Sequence, residues 1–238
     1  MARMQANMGT KPCTNRKKLR FLCLHSFCTS GKIFETQLRM AGWTDAMAER
    51  VEFTFVDAPH ERKGSVPKEV QQHFSGPYYQ WWDANEDGSM YHGAHLSFAH
   101  LRDVMVEQGP FDGLMGFSQG GTMAALLTLL QARNHMLNGF EPFKCCVVIA
   151  GLPSRATEHQ KAYDGLPIGS PMLYLVGEQD PLRSKSIVLT HHFRNPTILF
   201  HSRGHIVPKL TDREMERALS FLDRVIEKSN PGDELSVG

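Results

Sequence analysis

Short apolar runs alternate along the chain with longer segments in which apolar residues recur every three or four positions. The short runs predict buried strands, because a strand covered on both faces carries apolar side chains throughout. The longer segments predict helices that bury one face. The predicted strands cover residues 20–24, 51–56, 111–117, 145–150, 172–176 and 197–200, and the predicted helices cover residues 34–50, 92–107, 118–132, 184–194 and 212–228.

This alternation predicts an α/β fold with a mostly parallel central sheet of about six strands and helices on both faces. Residues 57–91 interrupt the alternation, since they are rich in proline, glycine and aromatic residues and show no long period. No break in composition indicates a second domain. We therefore expect one domain over residues 18–230, a disordered basic leader over 1–17 and a flexible tail over 231–238.

Charge and composition exclude some classes of protein. The formal net charge of the 238 residues is +1 with histidine neutral, which gives no electrostatic basis for nucleic-acid binding. No apolar run approaches the roughly 20 residues of a membrane span. The five cysteines are odd in number and include no Cys-x-x-Cys pair, which is typical of structural thiols in a reducing compartment. We expect a cytoplasmic protein, with an organelle transit peptide in the basic leader as the alternative.

The most informative motif joins the third predicted strand to the helix that follows it. It reads Gly116-Phe117-Ser118-Gln119-Gly120. Gly-x-Ser-x-Gly at a strand-to-helix junction is the nucleophile elbow of α/β-hydrolases. The turn is so tight that the positions two before and two after the serine have no room for a Cβ, and Gly116 and Gly120 meet that need. Such a turn holds the Ser118 hydroxyl at the carboxyl edge of the sheet, beside a helix N-terminus.

A serine hydroxyl needs a positioned base, and in this fold an acid and then a histidine follow the serine along the chain. Asp180 comes shortly after the fifth predicted strand, and Pro181 keeps it in a loop. Glu178 is the rival acid. His205 follows the last predicted strand, and His201 at the end of that strand is the alternative base.

These positions predict a catalytic triad of Ser118, Asp180 and His205. Acyl transfer also needs donors for the negative charge that develops on the carbonyl oxygen. We expect one donor to be the backbone N–H of Gln119, which directly follows the nucleophile. The other is expected from the loop after the first strand, where the backbone N–H of Phe27 lies in the right place.

The segment 57–91 is the expected wall of the substrate pocket. Its aromatic side chains offer a large apolar area that suits an acyl chain or a ring. In the alternative interpretation, Trp81 and Trp82 simply pack the segment onto the sheet. His92 and His95 have a spacing that a metal site uses, but no third ligand is evident, so no metal site is predicted. The aromatic residues concerned are Phe74, Tyr78, Tyr79, Trp81 and Trp82.

Six stretches of the sequence together resemble the FSH family of serine hydrolases, and the resemblance spans about residues 19–228. The resemblance implies an α/β-hydrolase fold and a serine esterase or thioesterase that acts on a small-molecule acyl ester or thioester without a cofactor. It also implies that Ser118, Asp180 and His205 form the triad. The matching stretches are residues 21–25, 30–34, 55–60, 81–82, 116–121 and 204–208.

One departure from the family concerns the loop that is expected to hold the oxyanion. Family members usually have His-Gly where this chain has His25-Ser26. The added Cβ and hydroxyl of Ser26 either narrow the site or supply an extra donor. Two alternatives to a hydrolase also stay open, because fold alone does not define function. One is a ligand-binding or scaffold protein that keeps the fold, and the other is an acyltransferase that uses the same triad.

Overall fold

The computed structural model describes residues 18–229. The basic leader and the C-terminal tail expected from the sequence lie outside the described residues, and the single domain over 18–230 stays a prediction. The strands are β1 (Leu19–Leu24), β2 (Val51–Val56), β3 (His60–Glu61), β4 (Tyr79–Gln80), β5 (Asp83–Ala84), β6 (Tyr91–His92), β7 (Gly113–Phe117), β8 (Cys145–Ile149), β9 (Met172–Gly177) and β10 (Thr197–His201).

Helices connect most of the long strands. The α-helices are α1 (Gly31–Met40), α2 (Trp43–Ala46), α3 (Lys68–Gln71), α4 (Ala94–Gln108), α5 (Gln119–Ala132), α6 (Arg183–Ser186) and α7 (Asp212–Ser229), and two 3₁₀-helices cover Thr157–Tyr163 and Ile187–His192. None of the helices within residues 18–229 is long and apolar enough to cross a membrane.

Six long strands form one sheet in the order β10-β9-β8-β7-β1-β2, and every neighbouring pair is parallel. The predicted parallel sheet of about six strands is therefore confirmed. In its register, Leu24 of β1 lies beside Val56 of β2 and Gly116 of β7. The loops after these three strands consequently leave the sheet side by side at its carboxyl edge, where open α/β sheets bind ligands.

The sheet separates two apolar layers. Along β1, Leu22 and Leu24 belong to one buried cluster, and Phe21 and Cys23 belong to the other. The first cluster includes side chains of α4 and α5, and the second includes side chains of α1 and α7. Both faces are thus covered by helices, which explains why the strands are apolar throughout.

Two predicted helices are wrong in their extent. The segment 34–50 is divided, because Gly42 has a left-handed backbone with φ 78° between α1 and α2. Trp43 then turns into the core, and its Nε1–H donates to the Pro208 carbonyl at 2.9 Å. The segment 184–194 forms one short α-helix and a 3₁₀-helix. There the Thr190 hydroxyl donates to the Ile187 carbonyl three residues back at 2.7 Å, which favours the tighter winding.

The start of α5 packs directly against the end of β1. A Cβ on Gly120 would overlap the carbonyl oxygens of Leu24 and His25. We expect Gly120→Ala to lower the free energy of unfolding by about 3 kcal/mol, the upper end of the range for overpacking. Urea denaturation measures the effect. Gly169→Ala is the matched control, since a Cβ at Gly169 meets no atom within 4 Å; equal stability of the two variants would contradict the close packing.

Candidate active site

Ser118 lies at the junction of β7 and α5 in a strained backbone conformation. Its φ is 52° and its ψ is −112°, a combination that residues other than glycine rarely adopt. Its N–H donates to the Ile149 carbonyl, and its own carbonyl accepts from the Thr122 N–H, each at 2.9 Å. These two bonds hold the sharp turn that the elbow motif predicts.

The three residues of the predicted triad lie in hydrogen-bond contact. The His205 Nε2 is 2.8 Å from the Ser118 Oγ, and its Nδ1 is 2.7 Å from the Asp180 Oδ2. The other oxygen of Asp180 accepts the Leu182 N–H at 2.8 Å. Because a carboxylate only accepts, the imidazole proton lies on Nδ1, which leaves Nε2 free to accept from the serine hydroxyl.

The two loops that carry the acid and the histidine approach each other at Gly177, the last residue of β9. A Cβ there would overlap the carbonyl oxygens of Arg203 and Gly204. The Gln179 N–H also donates to the Arg203 carbonyl at 3.2 Å. This backbone contact allows the carboxylate of Asp180 to be fully buried while the His205 side chain stays 29% exposed.

The rival residues are placed differently. The Glu178 side chain is exposed to solvent, and only its backbone N–H binds the last strand, at the His201 carbonyl. His201 is buried, and neither of its ring nitrogens has a hydrogen-bond partner within residues 18–229. Burial lowers the pKa of His201 from 6.5. The contact with Ser118 is therefore made by His205.

The loop after β1 is held by a buried histidine. The Nδ1–H of His25 donates to the Ser26 carbonyl at 2.8 Å, and its Nε2 accepts the Ala58 N–H at 3.0 Å. The Trp81 Nε1–H donates to the His25 carbonyl at 2.9 Å. Burial lowers the pKa of His25 to about 4, although the bond to Ser26 and the charge of Asp57 act in the opposite direction. The ring is thus a neutral link between the loop and the end of β2.

Ser26 takes part in this loop's own hydrogen bonds. The Thr29 hydroxyl donates to the Ser26 carbonyl at 2.7 Å, and the Ser26 Oγ lies 3.2 Å from the Thr29 Oγ1. Since the Thr29 proton is already donated, the Ser26 hydroxyl donates to Thr29. The departure from the family's His-Gly therefore adds an internal contact to the loop.

The two backbone amides predicted as oxyanion donors follow the strands β7 and β1. The Gln119 N–H begins α5, and the Phe27 N–H lies in the turn after β1. No acceptor for either amide is found within residues 18–229. The Phe27 ring is covered by the guanidinium of Arg62, whose carbon lies 5.3 Å from the ring centre. Neither amide is therefore occupied by an acceptor from the described residues, and their role as oxyanion donors stays a prediction.

The side chain of Gln119 is a feature that the sequence reasoning missed. Its Oε1 accepts the Trp81 N–H at 2.8 Å, and its Nε2 donates to the Trp82 carbonyl at 2.9 Å. Trp81 is fully buried, and Trp82 stacks on Tyr91 with ring centres 4.6 Å apart. The packing interpretation therefore describes these two tryptophans. The signal that the sequence offered was the residue type, since the side-chain amide of Gln119 can donate and accept hydrogen bonds at the same time.

The described residues include four cysteines, Cys23, Cys28, Cys145 and Cys146, and all are buried free thiols. Burial raises the pKa of Cys146 to about 12. Within the same part of the chain, no group of three or more histidine, cysteine or acidic residues is arranged to hold a metal ion.

A comparison with known families identifies the chain. The family model described as serine hydrolase (FSH1) matches residues 14–217. The chain belongs to this family. Among its relatives, esterase OVCA2 of Xenopus tropicalis is 30% identical over 229 residues. The match covers 91% of this chain and 97% of the relative. Esterase CG5412 of Drosophila melanogaster is 30% identical over 223 residues, 89% and 76% of the two chains. The family and these names support hydrolase activity on esters.

Solved structures confirm the fold of this FSH1-family protein. SOBER1 of Arabidopsis thaliana has a TM-score of 0.57 at 15% identity, covering 88% of this chain and 100% of that one. Acyl-protein thioesterase 2 of Zea mays has a TM-score of 0.55 at 18% identity, covering 90% and 96%. At these identities the likeness shows the α/β-hydrolase fold alone.

The two bonds of the Gln119 side chain lead to a prediction for this FSH1-family site. We expect Gln119→Ala to lower the free energy of unfolding by about 1–3 kcal/mol, because it leaves the Trp81 N–H unpaired. We also expect ester hydrolysis to fall about tenfold or more, since the loop beside the nucleophile is released. Urea denaturation and initial rates measure the two effects.

Gln131 provides a matched control on the same helix. It makes an equivalent pair of bonds away from the site, accepting the Phe143 N–H at 3.0 Å and donating to the Glu141 carbonyl at 3.1 Å. Gln131→Ala should therefore lose stability while keeping its rate. A rate that falls equally in both variants would show that the Gln119 side chain has no special connection to the site.

Stability should depend on pH through His25. Its pKa is lowered from 6.5 to about 4 in the folded protein, so the unfolded chain binds a proton that the folded protein does not. The contribution of His25 to the free energy of unfolding is complete above about pH 6.5. It is lost as the pH falls towards 4, by about 3 kcal/mol at most. Urea denaturation at about pH 7 and pH 4.5 should show a smaller loss in His25→Gln than in the wild type. Equal losses would contradict a neutral buried His25.

Proposed function

We propose that the protein is a serine esterase or thioesterase that hydrolyses small-molecule acyl substrates with Ser118, His205 and Asp180. The observation that supports this proposal is the continuous chain of hydrogen bonds from the serine hydroxyl through the imidazole to the buried carboxylate, with distances of 2.8 and 2.7 Å. These hydrogen-bonded residues lie at the carboxyl edge of the sheet, where α/β enzymes bind their ligands.

In the acylation step, the Ser118 Oγ attacks the acyl carbon while the His205 Nε2 takes its proton. Asp180 accepts the hydrogen bond from Nδ1, so it keeps the imidazole in the reactive tautomer and stabilises the imidazolium. The backbone N–H groups of Gln119 and Phe27 donate to the oxyanion of the tetrahedral intermediate. Donors of this kind contribute roughly 2.7–4 kcal/mol each.

The intermediate collapses when His205 gives the proton to the leaving alcohol or thiol, which departs and leaves an acyl group on Ser118. His205 then removes a proton from water, which attacks the acyl carbon and releases the acid. Esters and thioesters pass through the same two steps, so both are included in the proposal. All groups used in these steps are side chains or backbone amides of this chain.

A cytoplasmic location is also proposed. The support is the odd number of cysteines in the chain and the four free thiols among the described residues, since disulfides are rare in reducing compartments. Fractionation of cells that express the full chain tests this location.

Reaction with a fluorophosphonate probe tests the nucleophile. We expect the wild type to be labelled, and Ser118→Ala to be unlabelled with kcat reduced on the order of 10⁶-fold. His205→Gln should lose a similar factor, and Asp180→Asn should lose about 10⁴-fold. The assay uses p-nitrophenyl esters and acyl thioesters of graded chain length, with and without added alcohol or thiol acceptors.

Ser154 is the matched control for the nucleophile. Its hydroxyl also contacts a histidine, with 2.8 Å between the Oγ and the His159 Nδ1, but the residue is buried and follows no elbow motif. Ser154→Ala should still be labelled. Labelling that persists in Ser118→Ala would contradict the proposed nucleophile, and acyl transfer to the added acceptors in preference to water would make the protein an acyltransferase.

A further inference from the structure

A groove of about 500 Å³ lies beside the loop that carries His205. One wall is the end of α1, another is Phe74 from the segment between β2 and β4, and the third is the loop itself. We call it the histidine-side groove. The residues that matter for its chemistry are Met40, Phe74, Arg203, Ile206, Val207 and Lys209.

One part of the histidine-side groove is apolar and open to solvent. Met40 is 73% exposed and Ile206 is 40% exposed, and Phe74 is half-buried beside them. Large apolar side chains that remain exposed around a concavity mark a surface that a ligand covers. Ile206 directly follows His205, so this apolar surface belongs to the loop that carries the imidazole.

The other part is positively charged. Arg203 and Lys209 are both exposed, and neither forms an ion pair with a carboxylate within residues 18–229. The residues that line the groove include no acid. Arg62, whose guanidinium lies over the Phe27 ring, differs because it is engaged by Asp83 at 3.7 Å. A guanidinium and an ammonium without ion-pair partners can each bind a carboxylate or a phosphate group.

We propose that the histidine-side groove binds an arm of the substrate that has an apolar part and a negatively charged group. Met40, Phe74 and Ile206 cover the apolar part of the arm, and Arg203 and Lys209 bind its carboxylate or phosphate. This inference rests on the proposed function, because it places the reacting carbonyl at Ser118. The enzyme would then select esters or thioesters of anionic compounds over neutral ones of the same length.

Two pairs of substrates test the selection. The carboxylate pair is the mono-p-nitrophenyl ester of suberic acid and its methyl-capped form, which is neutral. The phosphate pair is octanoyl-phosphopantetheine and octanoyl-pantetheine, which lacks the phosphate. For each pair the ratio of kcat/KM, anionic over neutral, is measured at low and high salt. We expect a ratio of roughly tenfold in at least one pair, and a smaller ratio at high salt because the charges are exposed.

Variants assign the selection to the groove. Arg203→Ala and the double variant Arg203→Ala/Lys209→Ala should reduce the ratio stepwise towards one. Arg194→Ala and Lys228→Ala are matched controls in a second cleft, where Arg194 precedes the amino end of β10; they should keep the wild-type ratio. Circular dichroism and thermal unfolding verify that each variant is folded.

The outcomes separate this inference from the proposed function. If Ser118→Ala abolishes turnover and both ratios are close to one, the groove does not bind an anion and only this inference fails. If the ratio is high but unchanged in Arg203→Ala/Lys209→Ala, the anion binds elsewhere and the inference is again wrong. If Ser118→Ala turns over all four substrates like the wild type, the proposed function fails first. A ratio that is high in one pair alone identifies the anionic arm, which is either the acyl arm with its carboxylate or the leaving-group arm with its phosphate.

Discussion

The site depends on one backbone contact, the close packing of the start of α5 against the end of β1. Gly120 faces the carbonyl oxygens of Leu24 and His25 at a distance that admits no Cβ. This contact brings the turn after β7 close to the end of β1 and the first residue of the loop that follows it. A bulkier residue at position 120 would push the start of α5, and with it Ser118, away from the end of β1.

Three polar side chains then hold this arrangement through hydrogen bonds. His25 connects the loop after β1 to Ala58, and the side chain of Gln119 connects the elbow to Trp81 and Trp82. Asp180 is bound through both oxygens. Unpaired polar groups in a protein interior are costly, so these bonds favour one geometry over all others. The strained backbone of Ser118 is maintained because its surroundings leave it no alternative.

The sequence and the structure agree closely where the signal was local. The six strands were predicted to within a few residues, because apolar runs that are buried on both faces differ sharply from their surroundings. The helix predicted over 34–50 failed at Gly42, where a left-handed residue and the burial of Trp43 break a pattern that reads as continuous. For Trp81 and Trp82 the sequence allowed two interpretations. An aromatic pair in a sequence does not show whether it lines a pocket or packs a segment onto the sheet.

By itself, the sequence determined the α/β-hydrolase fold, the family and the serine of the elbow motif, Ser118. It did so because strand patterning, the elbow motif and the order of serine, acid and histidine are all one-dimensional features. Only the tertiary structure decided between Asp180 and Glu178 and between His205 and His201 as the contacts of the site, and only it showed the side-chain bonds of Gln119. Those facts depend on which atoms lie within about 3 Å of one another, and residues 25 to 87 positions apart acquire such distances only when the sheet is assembled.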